Sequence, residues 1–200
     1  MFRSPQVRGS AQATAAPASV VTRLPDWVYR TIYYYGFRAA RLVWRFTKPR
    51  HFGALVMLWH DKRVLLVRTS YQDGWVAPGG GIKADEAPIQ DAIREASGEL
   101  GLQLTLEDLR HALAVEHFWD NRHDKVQIFE LEVSDAPKIR IDNREIIEAR
   151  FVTLEEALSL HLAPHLHDYF QMTAARLKTG GRQLGTARVK RQSSRDVERH

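Results

Sequence analysis

The sequence predicts an α/β fold, a mixed β-sheet layered with helices, and three observations carry that expectation. Short runs rich in β-branched and aromatic residues recur between Ala54 and Val152. A stretch of helical period interrupts them at Pro88–Leu100, and another closes the series at His165–Leu177. Strands alternating with helices imply a layered domain with helices packed on a sheet. At 200 residues, with 44% hydrophobic and 26% charged side chains, the chain suits one core with extensions, and wholly disordered, collagen-like and coiled-coil architectures are excluded.

In chain order, residues 1–23 hold three arginines, many Ala and Ser and no acid, which predicts a disordered basic tail. A cytoplasmic location is expected, because no apolar h-region follows the arginines, and an organellar transit peptide over residues 1–25 is the second reading. The domain plan continues with an amphipathic basic and aromatic helix within 24–50, a folded domain over 51–175 and a basic tail over 176–200. Asp26 is the cap candidate of the helix, which runs toward Phe46 and stops before Pro49. Arg30, Arg38, Arg41 and Arg45 share a sector about 80° wide, and Val28, Ile32, Tyr35, Ala39, Leu42 and Phe46 fill the sector opposite. The apolar stripe predicts packing on the chain's own domain or on a second copy, a homodimer. Arginines with aromatics make an acidic membrane surface the next reading and nucleic acid the third.

Ala54–Trp59 and Val64–Arg68 read as a hairpin around His60-Asp61-Lys62-Arg63. Trp75-Val76-Ala77 reads as a short strand ended by the breaker Pro78-Gly79-Gly80-Gly81. In the helix Pro88–Leu100, Ile89, Ala92, Ile93, Ala96 and Leu100 form one apolar stripe, while Asp91, Glu95 and Glu99 stand one turn apart on another face. Like charges at that spacing cost about 0.2–0.5 kcal/mol per pair, so the acids require a reason. Glu95 and Glu99 can share one cation, and Asp91 reads as a solvated acid. Ala112–Trp119 and Val126–Val133 are two strands about the turn Asp120–Asp124, in which Arg122 and His123 read as solvated. Glu148–Val152 is a strand, and Leu154–Leu160 and His165–Leu177 are helices.

Charge is segregated. Residues 1–50 carry +8, residues 51–170 carry −9 and residues 171–200 carry +6, within a net +5. The acidic middle is unsuited to attracting polyanions but rich in the oxygen donors that hard divalent cations take. The chain has no cysteine, which excludes disulfides, thiolate metal sites and thiol nucleophiles. Any metal must sit on oxygen or imidazole.

The run Gly80–Leu102 resembles the Nudix box, which reads G, five residues, E, seven residues, R-E, an aliphatic residue, any residue, E-E, any residue, G and an aliphatic residue. Gly80, Glu86, Arg94, Glu95, Glu99, Gly101 and Leu102 stand at the required offsets, and Ala96 is a small form of the aliphatic position. Gly98 stands where the family has the first glutamate of its pair. The flanks Val64–Arg68, Gly74–Gly81 and Glu145–Leu158 look like the family's strands and turns, so the likeness covers roughly residues 51–170.

The resemblance implies a Nudix-like α/β/α sandwich and a pyrophosphohydrolase. The reaction it implies is metal-dependent hydrolysis of a phosphoanhydride in a nucleoside diphosphate linked to another moiety. It implies magnesium or manganese (Mg2+ or Mn2+) held by the Gly79 carbonyl and by Glu95, Glu99 and Glu145, with those glutamates catalytic. Spacing to Phe151 selects Glu145, with Glu148 the alternative, and Glu86 and Arg94 would orient the glutamates. The glycine at position 98 makes a catalytically weakened nucleotide-binding or regulatory module the alternative. Arg68, Tyr71, Trp75, Phe118 and Trp119 are candidates to hold phosphate or stack on a ring.

Overall fold

The strand β1 (Arg50–His60) organises the rest of the molecule. The computed structural model describes residues 24–100, 103–139 and 141–179, and only the backbone at Glu99 and Leu100, so the expectations for residues 1–23 and 180–200 lie outside the described residues. With β2 (Arg63–Thr69), β3 (Gly79–Gly81), β4 (Arg110–Trp119), β5 (Arg122–Glu132) and β6 (Ile146–Thr153), β1 forms a six-stranded sheet. The order is β4-β5-β1-β2-β6, with β3 also on β1. β1 runs parallel to β5 and antiparallel to β2 and β3, so the sheet is mixed.

Alternation along β1 divides the core in two. Ala54, Val56 and Leu58 pack with Ala92 and Ala96 of α2 (Pro88–Leu100). Met57 and Trp59 face the other way and pack with Ala157 of α3 (Leu154–Ser159) and with Leu166, Tyr169 and Phe170 of α4 (Pro164–Lys178). The result is the α/β/α sandwich. α3 is nucleated by a capping box, in which Thr153 Oγ1 accepts from the Glu156 N–H and the Glu156 carboxylate accepts from the Thr153 N–H. α4 starts with Pro164 in its first turn.

Glu130 is 1% exposed on β5 and is held there by Tyr169 Oη at 2.7 Å, Arg176 at 3.0 Å and Arg110 at 3.1 Å. Trp59 Nε1 in turn donates to Tyr169 Oη at 2.8 Å. Two guanidiniums and a phenol thus satisfy a buried carboxylate that would otherwise cost several kcal/mol.

The structure corrects several local expectations. The turn in the second hairpin is only Asp120-Asn121, with φ of 50° and 62°. A two-residue turn of this hand matches the twist of its strands, so residues 122–125 belong to β5. Trp75 and Val76 make only isolated bridges, whereas the glycines expected to break the chain form β3.

α1 (Asp26–Thr47) begins after Pro25, which takes the N-cap position assigned to Asp26. Its apolar stripe faces away from the domain, leaving Ile32, Tyr35, Leu42 and Phe46 exposed. The face toward the domain is aromatic and basic. Tyr33 and Phe37 contact Tyr71, Arg41 pairs with Asp120 at 2.6 Å, and Arg30 donates to the Asn143 carbonyl at 2.6 Å. Asp26 pairs with Arg144 at 2.9 Å. The charged and aromatic side chains of this face meet ion-pair, hydrogen-bond and ring partners on the domain. Among the described residues no helix is long and apolar enough to cross a membrane.

Candidate active site

The site is built around the triple glycine. Gly79 has φ of +136°, and a Cβ there would fall 2.2 Å from the Ala54 carbonyl oxygen. Only glycine permits this close approach, which seats Gly79–Gly81 against Leu55, Ala54 and Gly53 of β1. A Cβ on Gly80 would in turn lie 3.2 Å from Glu95 Cδ. Glu95 of α2 therefore lies directly against the glycine backbone.

Arg94 organises the acids around it. Its guanidinium contacts Glu95 and Asp91, and it reaches Glu86 at 3.2 Å. Arg94 holds the Glu86 carboxyl below its usual range, and Glu86 and Glu95 push the Arg94 pKa further up. Asp91 is not solvated as its position suggested, because its side chain is fully buried and paired with Arg94. Burial raises its pKa. Its Oδ2 has no hydrogen-bond partner among the described residues.

Glu145 approaches from the other side. Asp142 Oδ1 accepts from the backbone N–H groups of Arg144, Glu145 and Ile146 at 3.0, 3.0 and 3.1 Å, which fixes the turn leading into β6. Tyr71 Oη donates to Glu145 Oε1 at 2.9 Å. Glu145, Tyr71 and Gly79–Gly81 line one cavity of about 400 Å³. Glu148 instead pairs with Arg68 at 3.2 Å on a solvent-exposed stretch of β2 and β6.

Of the other residues singled out from the sequence, Trp75 is buried in the core beneath Arg150, and Arg68 and Trp75 do not line the cavity. Phe118 lines a separate cleft with Arg50, His123 and Lys125. The Glu99 side chain lies outside the described residues, although its backbone continues α2 one turn beyond Glu95. Among the described residues no three carboxylates or imidazoles converge on one point. The donor set still fits a hard dication in kind, because the Glu95 carboxylate and the backbone carbonyls of the glycine turn beside it are the oxygen donors such an ion takes.

Gly98 lies on α2 with nothing within 4 Å of a built Cβ. Gly98→Glu should therefore fit without strain and gain roughly 0.5 kcal/mol of helix propensity, offset in part by like charge against Glu95. The expected result is an unchanged thermal midpoint without metal and saturation of the rate at several-fold lower magnesium. Magnesium titrations of parent and variant check it.

A family model described as NUDIX domain matches residues 49–174. The chain belongs to the Nudix family. It is a hydrolase. A Mycobacterium tuberculosis protein provisionally named 8-oxo-dGTP diphosphatase 3 is 30% identical over 190 residues, covering 92% of this chain and 77% of that protein. The diphosphoinositol polyphosphate phosphohydrolase 3-alpha of Mus musculus is 31% identical over 126 residues, covering 60% of this chain and 72% of that protein. Among solved structures, the MutT protein of Methanosarcina mazei superposes with a TM-score of 0.54 at 23% identity, over 66% of this chain and 97% of that one. That likeness shows the fold.

The Nudix domain as matched leaves out α1, yet Phe37 and Trp44 of that helix line the cavity with the glycine turn. Reasoning from sequence missed both residues. It also missed Asp124 and His165, which are 3% and 8% exposed and line the same cavity. Arg122, expected to be solvated, pairs with Asp124 at 2.8 Å and stacks over Trp44 at 4.7 Å. No local pattern marks these residues, because they come from α1, β5 and α4, far apart in the chain.

Proposed function

We propose that this Nudix hydrolase cleaves a phosphoanhydride bond in a nucleoside diphosphate linked to another moiety, and that the reaction requires magnesium or manganese. The observation that carries the reading is the glycine turn itself, which lines one cavity with Glu145 and has the Glu95 side chain packed against its Gly80. Gly79, Glu95, Glu99 and Glu145 would hold the dication. When bound, the dication neutralises charge on the phosphate oxygens and lowers the pKa of a coordinated water.

The remaining work belongs to the chain. Arg94, tied to Glu86 and Asp91, also binds the Glu95 carboxylate and so fixes its rotamer. Tyr71 holds Glu145 by one hydrogen bond, leaving its second oxygen to accept a proton from an attacking water. In hydrolysis the water oxygen bonds to phosphorus, the bridging P–O bond breaks, and the bridging electron pair leaves with the departing phosphate. Phe37 and Trp44 of α1 form part of the cavity wall and so displace bulk water beside the reacting phosphates.

A panel of nucleotide sugars, dinucleoside polyphosphates, NADH, ADP-ribose, coenzyme A and nucleoside triphosphates, assayed with each metal for phosphorus-containing products, tests the reading. Metal-dependent release of a nucleoside monophosphate from at least one of them is expected. No turnover of any member with either metal would overturn it.

A further inference from the structure

α1 is docked on the domain by its polar side and shows its apolar side to solvent. Asp26 with Arg144, Arg30 with the Asn143 carbonyl and Arg41 with Asp120 tie it down along its length, all at 2.6–2.9 Å. On the far side Ile32, Tyr35, Leu42, Val43 and Phe46 are each more than half exposed, and Ile32 to Phe46 spans about 21 Å of helix. An apolar strip of this extent on an anchored helix marks a surface that meets a partner.

The border of that strip identifies the partner's chemistry. At about 100° per residue, Arg38 and Arg45 fall about 40° and 60° from Leu42, along one edge of the strip. Both are exposed, and among the described residues the ion pairs of α1 are those of Asp26 and Arg41, so neither arginine meets a carboxylate. Arg38 lies over the Tyr34 ring of its own helix at 4.7 Å. Trp27 stands exposed on the same edge, an amphipathic ring of the kind that settles where hydrocarbon meets water. A second copy of the chain is the poorer match. In a two-fold antiparallel pair of α1 helices, each arginine edge would face the same edge of the other copy. Asp26, the one acid in residues 1–50, is engaged with Arg144, so α1 has no carboxylate to set between them.

We infer that α1 docks on an anionic lipid surface, with Ile32, Tyr35, Leu42, Val43 and Phe46 entering the acyl boundary and Arg38 and Arg45 meeting headgroup oxygens. Anionic headgroups supply the negative charge that this edge of the helix lacks, and guanidiniums match phosphate oxygens in bidentate geometry. Among the described residues no helix is long and apolar enough to cross a bilayer, so α1 lies in the plane of the surface. The inference does not rest on the hydrolase reading, because it uses only the outward side of α1.

The test is flotation of the full chain with vesicles of phosphatidylcholine alone and of phosphatidylcholine mixed with phosphatidylserine. The parent is expected to float with the mixed vesicles, and raised salt should weaken that binding. Ile32→Gln/Leu42→Gln/Phe46→Gln replaces the strip with helix-forming polar residues and leaves every arginine in place, so it should lower partition at least about tenfold. Arg38→Gln/Arg45→Gln should lower partition to the mixed vesicles about twentyfold, at about fivefold per residue, and leave binding to phosphatidylcholine unchanged. Thermal midpoints of both variants should match the parent, because none of these side chains lines the cavity or ties α1 to the domain. A parent that does not float with the mixed vesicles, or a triple variant that floats as the parent does, would overturn the inference. A parent that stays unbound and sediments as a dimer, which the triple variant dissociates, would assign the strip to a second copy instead.

Discussion

Glu95→Gln is expected to lower kcat on the order of a thousandfold, equivalent to roughly 4 kcal/mol of transition-state stabilisation at 1.36 kcal/mol per tenfold. Glutamine keeps the shape against Gly80 and an oxygen for Arg94, but it removes the negative charge that a dication needs. The fold should survive, because the Glu95 side chain is 26% exposed and Arg94 retains Glu86 and Asp91. Glu99→Gln is expected to act in the same direction, since it stands one helical turn further along α2. Steady-state hydrolysis at saturating magnesium, paired with thermal midpoints, checks both. Turnover within twofold of the parent in either variant would remove that residue from the metal site.

The second large effect concerns acid. Burial pushes the His165 imidazole down to about 4 from an ordinary 6.5, with Asp124 opposing and His117, Arg122 and His51 adding to the depression. The folded chain therefore keeps His165 neutral where the unfolded chain would protonate it. Above pH 6.5 neither state takes up that proton and the contribution is constant. As pH falls from 6.5 toward 4, the unfolded state binds the proton first, so stability falls with it, by roughly 3 kcal/mol in total. Below about 4 both states are protonated and the loss levels off. His165→Gln cannot be protonated, so the parent-minus-variant difference in unfolding free energy should shrink or reverse between pH 7 and pH 4.5. Urea unfolding of both proteins across that range measures it, and a difference independent of pH would show that His165 titrates normally in the fold.

The helix α2 and the strands of the two hairpins were legible because their signals are local. Ile89, Ala92, Ile93 and Ala96 repeat at helical spacing and pack on the sheet as that spacing requires. The family likeness was legible for the same reason, through fixed offsets from Gly80 to Leu102. β3 was not, because three glycines carry no strand propensity. They pair with β1 only because the absence of side chains lets the two backbones close up. The orientation of α1 was not legible either, since amphipathicity locates an apolar face without saying what the opposite face meets. Here Asp120, Asn143, Arg144 and Tyr71, which lie far along the chain, supply partners for the polar and aromatic side. Asp91 shows the converse. Its helix position reads as solvent-facing, and its burial follows from Arg94 and Glu86 closing over it.

β1 serves both hydrophobic layers while three of its residues also seat the glycine bend. Inserting or deleting a single residue within Ala54–Trp59 would exchange inward and outward sides along the rest of the strand. Both layers would lose their fillers together, and the bend would move relative to Glu95. Structural integrity and chemistry thus share one thread of backbone in this molecule, and a change of length there has no route to spare either.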